Sequence, residues 1–184
     1  MVRVKFKINS YVISVSAGNN GTSTLLGANT VVYGDSLLVD ISPNTGFHIS
    51  DVFLDGEISL GAISSYTFRN ISSNHSISSS FAINTFAISV TQGEHGEITP
   101  NSASVDFGSS KTFSFTAATG YHVDSVFVDG SSVDSLSTYT FENVTSAHTL
   151  TATFAVNYYQ LNVTTVGVRS EEHTSELQSP YVIS

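Results

Sequence analysis

The chain has no cysteine, so neither a disulfide framework nor a thiolate metal site is available to it. It has few charges of either sign and very few positive ones. Six Lys and Arg stand against fifteen Asp and Glu, a net charge of −9. With no run of basic residues, that balance argues against nucleic acid and against anionic membrane surfaces as partners. No apolar run approaches the roughly 18 residues of a membrane-spanning helix. The sequence also lacks Gly-x-Ser-x-Gly, His-Glu-x-x-His and a phosphate-binding glycine loop, which removes the commonest readable routes to catalysis.

What the chain does have is repetition. Asn9-Ser-Tyr-Val-Ile-Ser-Val15 returns as Asn84-Thr-Phe-Ala-Ile-Ser-Val90 and again as Asn157-Tyr-Tyr-Gln-Leu-Asn-Val163. Ser50-Asp-Val-Phe-Leu-Asp-Gly56 returns as Asp124-Ser-Val-Phe-Val-Asp-Gly130. Tyr66-Thr-Phe-Arg-Asn-Ile71 returns as Tyr139-Thr-Phe-Glu-Asn-Val144. Self-similarity at a fixed period of about 73 residues is the signature of an array of small modules.

The repeat divides the chain. Phe6-Lys-Ile-Asn9 matches the ends of both full copies, so residues 1–8 read as the last strand of an upstream repeat. Residues 9–83 are repeat 1, residues 84–156 repeat 2, and residues 157–168 open a third repeat. Residues 169–184 break the pattern. Arg169-Ser-Glu-Glu-His-Thr-Ser-Glu-Leu-Gln-Ser179 resembles the conceptual translation of a common short-read sequencing adapter, whose frame continues correctly into Ile183-Ser184. That tail is set aside as a non-native scar, which implies that the chain is a piece of a longer reading frame. Without it, five basic and twelve acidic residues remain, a net charge of −7.

Within each repeat the hydrophobic period is two. Tyr11, Ile13 and Val15 alternate with more polar neighbours, as do Val39 and Ile41, then Phe113, Phe115 and Ala117, and Leu150, Ala152 and Phe154. Alternation of this kind predicts antiparallel strands with one buried face. Gly-rich turns fall between the runs. Asp55-Gly56 and Asp129-Gly130 are Asp-Gly pairs, a strong hairpin signal because a type I′ turn needs positive φ at both central residues. Ala28–Val32 and Ser102–Asp106 read as short connecting segments. The fold class is all-β, in tandem small modules. Strand order is beyond what periodicity can give.

Three features together resemble one bacterial repeat family. They are the Tyr/Phe-x-Ile/Leu-x-Val opening strand, the Gly-Phe/Tyr-His-x(3)-Val-Phe-x-Asp-Gly centre, and the Tyr-Thr-Phe-x-Asn-Val/Ile…His-x(5)-Phe close. They are similar to the divergent internalin-B B-repeat family, and the resemblance covers residues 1–168. It implies a β-grasp-like sheet, tandem arrangement, and a large secreted or cell-wall-attached bacterial protein, with no catalytic residues to carry over. A small Ig-like β-sandwich stays open beside it. Charged residues at only 11%, with solubility carried by Ser and Thr, suit such an exported setting.

Few residues invite a site. His48 and His122 share a repeat position and fall on the exposed phase. His75 and His148 begin the closing strand, where each is placed to hydrogen-bond a turn; His95 stands alone. Zinc needs three or four convergent ligands, and calcium several oxygens at short alternating spacing; neither pattern is present, so no metal and no cofactor is expected. Glu94, His95 and Glu97 cluster in one loop of one copy only. Phe53 and its twin Phe127 sit between inward-facing neighbours, so each should face outward. A recurring outward aromatic is the best candidate for partner binding, with packing against a linker or neighbouring repeat as its competing role.

The expected function is a non-enzymatic structural or spacer array, adhesin-like, at a bacterial cell surface or secreted. Alternatives are a glycan- or protein-binding module using Phe53 and Phe127, and accessory repeats of a secreted hydrolase. Expected partners are neighbouring repeats of the chain, and a glycan or a host or cell-surface protein.

Overall fold

A computed structural model describes residue 3 and residues 7–164 of the chain. The expected last strand over residues 1–8 falls largely, and the adapter-like tail over residues 169–184 entirely, outside the described residues.

The described chain folds into two like modules in series. The first holds β1 (Ser10–Ala17), β2 (Gly21–Ser23), β3 (Gly27–Val32), β4 (Leu37–Pro43), β5 (Phe47–Leu54), β6 (Ile58–Ser59), β7 (Ser65–Phe68) and β8 (His75–Ile83). The second repeats them as β9 (Thr85–Gln92), β10 (Gly96–Thr99), β11 (Ser102–Asp106), β12 (Lys111–Ala117), β13 (Tyr121–Val128), β14 (Ser131–Val133), β15 (Thr138–Phe141) and β16 (His148–Val156). Every regular element among the described residues is a strand.

Each module is two layers. A five-stranded sheet runs β3-β1-β8-β5-β6, and a three-stranded layer runs β2-β4-β7; the second module has β11-β9-β16-β13-β14 and β10-β12-β15. The first and last long strands lie side by side and parallel at the sheet's centre: Ile13 pairs with His75, and Ile88 with His148. All other pairings are antiparallel. That central pair corrects the wholly antiparallel expectation. Two β layers with no helix among the described residues fit a small β-sandwich repeat, while the central parallel pair departs from the antiparallel sheets of an Ig domain. A parallel pair needs a long crossover; here the whole module is the crossover, so no local pattern announces it.

A second correction concerns Ala28–Val32 and Ser102–Asp106. They lie within strands, not connectors: β3 pairs with β1 through Val31 and Tyr11, and β11 with β9 through Val105 and Phe86. The run Ala-Asn-Thr-Val hides this strand because only Val31 reaches the core.

Alternation does put the expected residues inside. Ile13, Val15, Val39 and Ile41 form the first core with Val31, Ile49, Val52, Phe68, Ile71 and Ile77. Phe113, Phe115, Leu150 and Ala152 form the second with Ile88, Ile98, Val105, Val126, Phe141 and Val144. The cores solve one position differently. In the first module Ser23 and Ser79 are buried and share a hydrogen bond of 3.2 Å. In the second, Ile98 and Ala152 occupy those places and are fully buried. Ser79→Ala alone is expected to destabilise the first module by about 1–2 kcal/mol, because the Ser23 hydroxyl is left buried without a partner. Ser23→Ile together with Ser79→Ala copies the second module and is expected to restore the lost stability. Chemical denaturation of the two variants reads the difference; equal stability of the single variant and the parent would refute it.

Residues 157–164 form no strand. Tyr159, Leu161 and Val163, which repeat the core phase of β1, are exposed. A strand on its own has no ladder to join.

Candidate functional site

The histidines define two arrangements that recur in both modules. The first locks the Asp-Gly hairpin turn to the closing strand. Asp55 and Gly56 both have positive φ, 52° and 76°, as do Asp129 and Gly130 at 50° and 77°, which is the geometry of a type I′ turn. His75 Nδ1 lies 2.8 Å from Asp55 Oδ2, and the Ser76 N–H donates to Asp55 Oδ1 at 2.8 Å. His148 and the Thr149 N–H hold Asp129 in the same way, at 2.7 and 2.8 Å.

These bonds pull the two carboxyls below the ordinary carboxylate range. For Asp55 the His75 side chain is the main cause and the Ser76 N–H the next; for Asp129 the order is the Thr149 N–H and then His148. A carboxyl whose pKa is lower in the folded state stabilises that state at pH above its unfolded value. The contribution fades as pH falls through the lowered folded value. Both modules are therefore expected to lose melting temperature on acidification below about 3.9, the usual Asp value. Asp129→Asn should flatten that acid slope in the second module only. An unchanged slope in a pH series of thermal melts would contradict the turn lock.

In the first module Ser73 extends this arrangement: its hydroxyl lies 3.0 Å from Nε2 of His75. Ser73, His75 and Asp55 thus reproduce the connectivity of a hydrolytic triad, beside an open depression of about 390 Å³ lined by Val12, Ser14, Asp55, Asn74, His75 and Ser76. The residue pattern did not single out Ser73. The only signal was a serine two places before the histidine that opens the closing strand, in the bend that leads into it. The surroundings make it a brace. Two backbone N–H groups of the lining are already spent, that of Ser76 on Asp55 and that of Val12 on Asn74 Oδ1, both at 2.8 Å. The His75 ring lies against Phe68, centroids 5.6 Å apart, as His148 lies against Phe141 at 4.9 Å. The second module keeps the His–Asp pair and the ring contact, and those shared features hold a turn.

The second arrangement is the joint between modules. β8 ends at Ile83 and β9 begins at Thr85, so Asn84 alone is the linker. Its N–H donates to the Gly46 carbonyl at 2.8 Å, and its Oδ1 lies 2.8 Å from His48 Nδ1, both in the first module. Its own carbonyl accepts the Phe107 N–H at 2.8 Å, in the second. The Phe107 ring covers Gly46 so closely that a Cβ there would overlap it. Gly46 is buried, and its φ of 83° excludes most side chains in any case. His48 is exposed, as its phase predicted, and it fixes the linker. No strand pairing crosses the joint.

Phe53 and Phe127 sit one step out of phase with the fully buried Val52 and Val126, and neither belongs to a core. Both are half-buried. Phe53 lies between Ser78 on β8 and Ser59 on β6; Phe127 lies between Thr151 and Ser132. His95 stacks on Tyr121 at 4.2 Å, and Glu94 reaches it only at 3.9 Å on an exposed loop. No three His, Asp or Glu side chains converge as a metal site among the described residues.

Two copies of one all-β fold in series, each with the same turn lock and joined through one clamped residue, define a tandem β-repeat protein. Residues 86–158 match the family model of the divergent InlB B-repeat domain. The family is a repeat domain of bacterial surface proteins, not a known enzyme family. No curated protein and no solved structure matches the chain.

Proposed function

We propose that the two modules are successive units of a non-enzymatic spacer array in a bacterial cell-surface or secreted, adhesin-like protein. Their work is mechanical: each unit adds length and the joint resists bending, so that whatever the array carries is held away from its base. The joint is the observation that supports this most. A flexible tether needs Gly- and Ser-rich slack. Asn84 has none, with hydrogen bonds to both modules and an aromatic ring packed across the gap. Separate cores and no shared strands add near-independent folding with coupling only to the nearest neighbour. No helix among the described residues is long and apolar enough to cross a membrane. Small-angle scattering on the purified protein tests the reading. An extended, monomeric particle is expected, and a compact or freely bending one would overturn it.

A second reading rests on Phe53 and Phe127. In both modules the phenylalanine lies beside a row of hydroxyls, Ser76, Ser78 and Ser80 or Thr149, Thr151 and Thr153. Hydroxyls around an aromatic face suit a glycan or a host or cell-surface protein. If they bind one, Phe127→Ala should abolish capture on a glycan array while leaving the melting temperature unchanged; a fall in stability instead would assign the ring to packing.

A further inference from the structure

The joint is present once complete and twice by halves. At Gly46 the seat is filled: the glycine is buried and Phe107 covers it. Gly120 is the same position of the second module. It has the same backbone, φ 86° against 83°, but it is exposed, and nothing lies within 4 Å of the place a Cβ would take. The linker beyond it is nevertheless already clamped. The Asn157 N–H donates to the Gly120 carbonyl at 2.7 Å, and its Oδ1 lies 2.9 Å from His122 Nδ1. Asn84 and Asn157 are clamped in the same way.

The other half is Tyr33, which holds the position of Phe107 in the first module. Its N–H donates to the Asn9 carbonyl at 2.9 Å, as that of Phe107 donates to Asn84. It is 58% exposed, with no glycine beneath it. Yet it keeps the posture of the seated ring. Tyr11 and Tyr33 stand with centroids 6.4 Å apart at 49°, and so do Phe86 and Phe107. The turn behind each ring is tied back to its own module, with Gly34 N–H donating to Ile71 and Gly108 N–H to Val144, both at 2.8 Å.

We propose that Gly120, flanked by His122 and Asn157, is the empty seat for the aromatic of a further B-repeat linked in cis through Asn157, and that Tyr33 is the matching knob for a repeat preceding β1. The proposal rests on the spacer-array reading. It commits to a covalently continuous repeat because one asparagine serves both sides of the filled joint. In a second copy of the chain, its Asn9 and this Asn157 would contend for that single place. The recognition chemistry is an aromatic ring against bare backbone, with the seat and the knob already in the geometry of the filled joint. Any module offering a phenylalanine or tyrosine after its third strand fits.

The absence of cysteine allows clean spin labelling. Ser72→Cys with Thr145→Cys, both exposed loop positions, reports the existing joint by pulsed electron resonance. A chain with residues 84–156 duplicated after Val156 carries a second pair, Thr145→Cys in each copy, across the new joint. The expected result is a narrow distance distribution at both joints, with Phe107→Ala in the added copy costing the narrowness at the new joint only. Circular dichroism on that variant verifies that the added module still folds. A narrow native joint with a broad new one overturns the seat and leaves the array reading standing. A new joint still narrow after Phe107→Ala overturns it too, since the ring then does nothing. A broad native joint removes the array reading and this inference together. Concentration-dependent dimers of the unmodified chain that Tyr33→Ala abolishes would overturn the cis commitment in favour of a second copy.

Discussion

Phe113→Ala is expected to lower the stability of the second module by about 3–5 kcal/mol, the usual cost of truncating a core phenylalanine, while the first module melts as before. Phe113 is fully buried at the middle of β12 and meets Phe141 edge-on, with centroids 5.9 Å apart. Little can close the space it leaves, because the five-stranded sheet on the other side of the core is held by its own ladder. The size of the effect matters less than where it stops. No strand pairing among the described residues crosses the joint and each core cluster lies within one module, so the damage must travel through the joint of Gly46, His48, Asn84 and Phe107. Two calorimetric transitions are expected in the variant, one at the parent position and one far below it. A single transition that moves as a whole would mean that the modules fold as one unit, and the nearest-neighbour picture would have to be abandoned.

Gly46→Ala is expected to open the joint at Asn84, and Gly120→Ala to leave that joint as it was. Both glycines have φ near the left-handed region, 83° and 86°. An L-residue there costs roughly 1–2 kcal/mol, so the two substitutions carry the same backbone strain. They differ in what the new methyl meets. At Gly46 it overlaps the Phe107 ring; at Gly120 it meets nothing. Subtracting one variant from the other therefore isolates the packing of the ring from the strain of the turn. The scattering profile and the Ser72/Thr145 label distance should change in Gly46→Ala and stay at the parent values in Gly120→Ala, although both lose stability. Equal changes in both would show that general loss of stability, and not contact with the ring, alters the readout. No change in either would show that the Asn84 hydrogen bonds suffice, with the ring incidental.

Much of the molecule is legible in the order of its residues. The period of two placed Ile13, Val15, Val39, Ile41, Phe113, Phe115, Leu150 and Ala152 inside, where all eight are buried, and with them Tyr11, Ala117 and Phe154, which are half-buried. The Asp-Gly pairs marked the tight turn, and the phase of His75 and His148 marked their bond to it. Those readings succeed because they depend on neighbours along the chain: which face a side chain takes, and which residues tolerate positive φ.

The failures share a physical cause too. Alternation is the same whether a strand's partner runs parallel or antiparallel, so the central β1–β8 pair could not be seen. β3 looked like a connector because an edge strand with one core residue has almost no alternation to show, whereas the short alternation Ser-Ala-Ser-Val-Asp of β11 was there to be read. His48 read correctly as exposed, yet its work on Asn84 depends on the closing strand returning beside β5, 36 positions away. Gly46 and Gly120 are indistinguishable as sequence, Thr-Gly-Phe-His against Thr-Gly-Tyr-His; only the packing of the neighbouring module makes one a buried seat and the other an open one. The repeat, the all-β class, the core faces and the turns are settled along the chain, since each follows from local backbone preference and hydrophobic phase. The parallel sheet centre, the Ser73–His75–Asp55 brace and the joint exist only once the chain has folded, since each needs groups from separate strands, turns or modules to arrive within a few ångströms of one another.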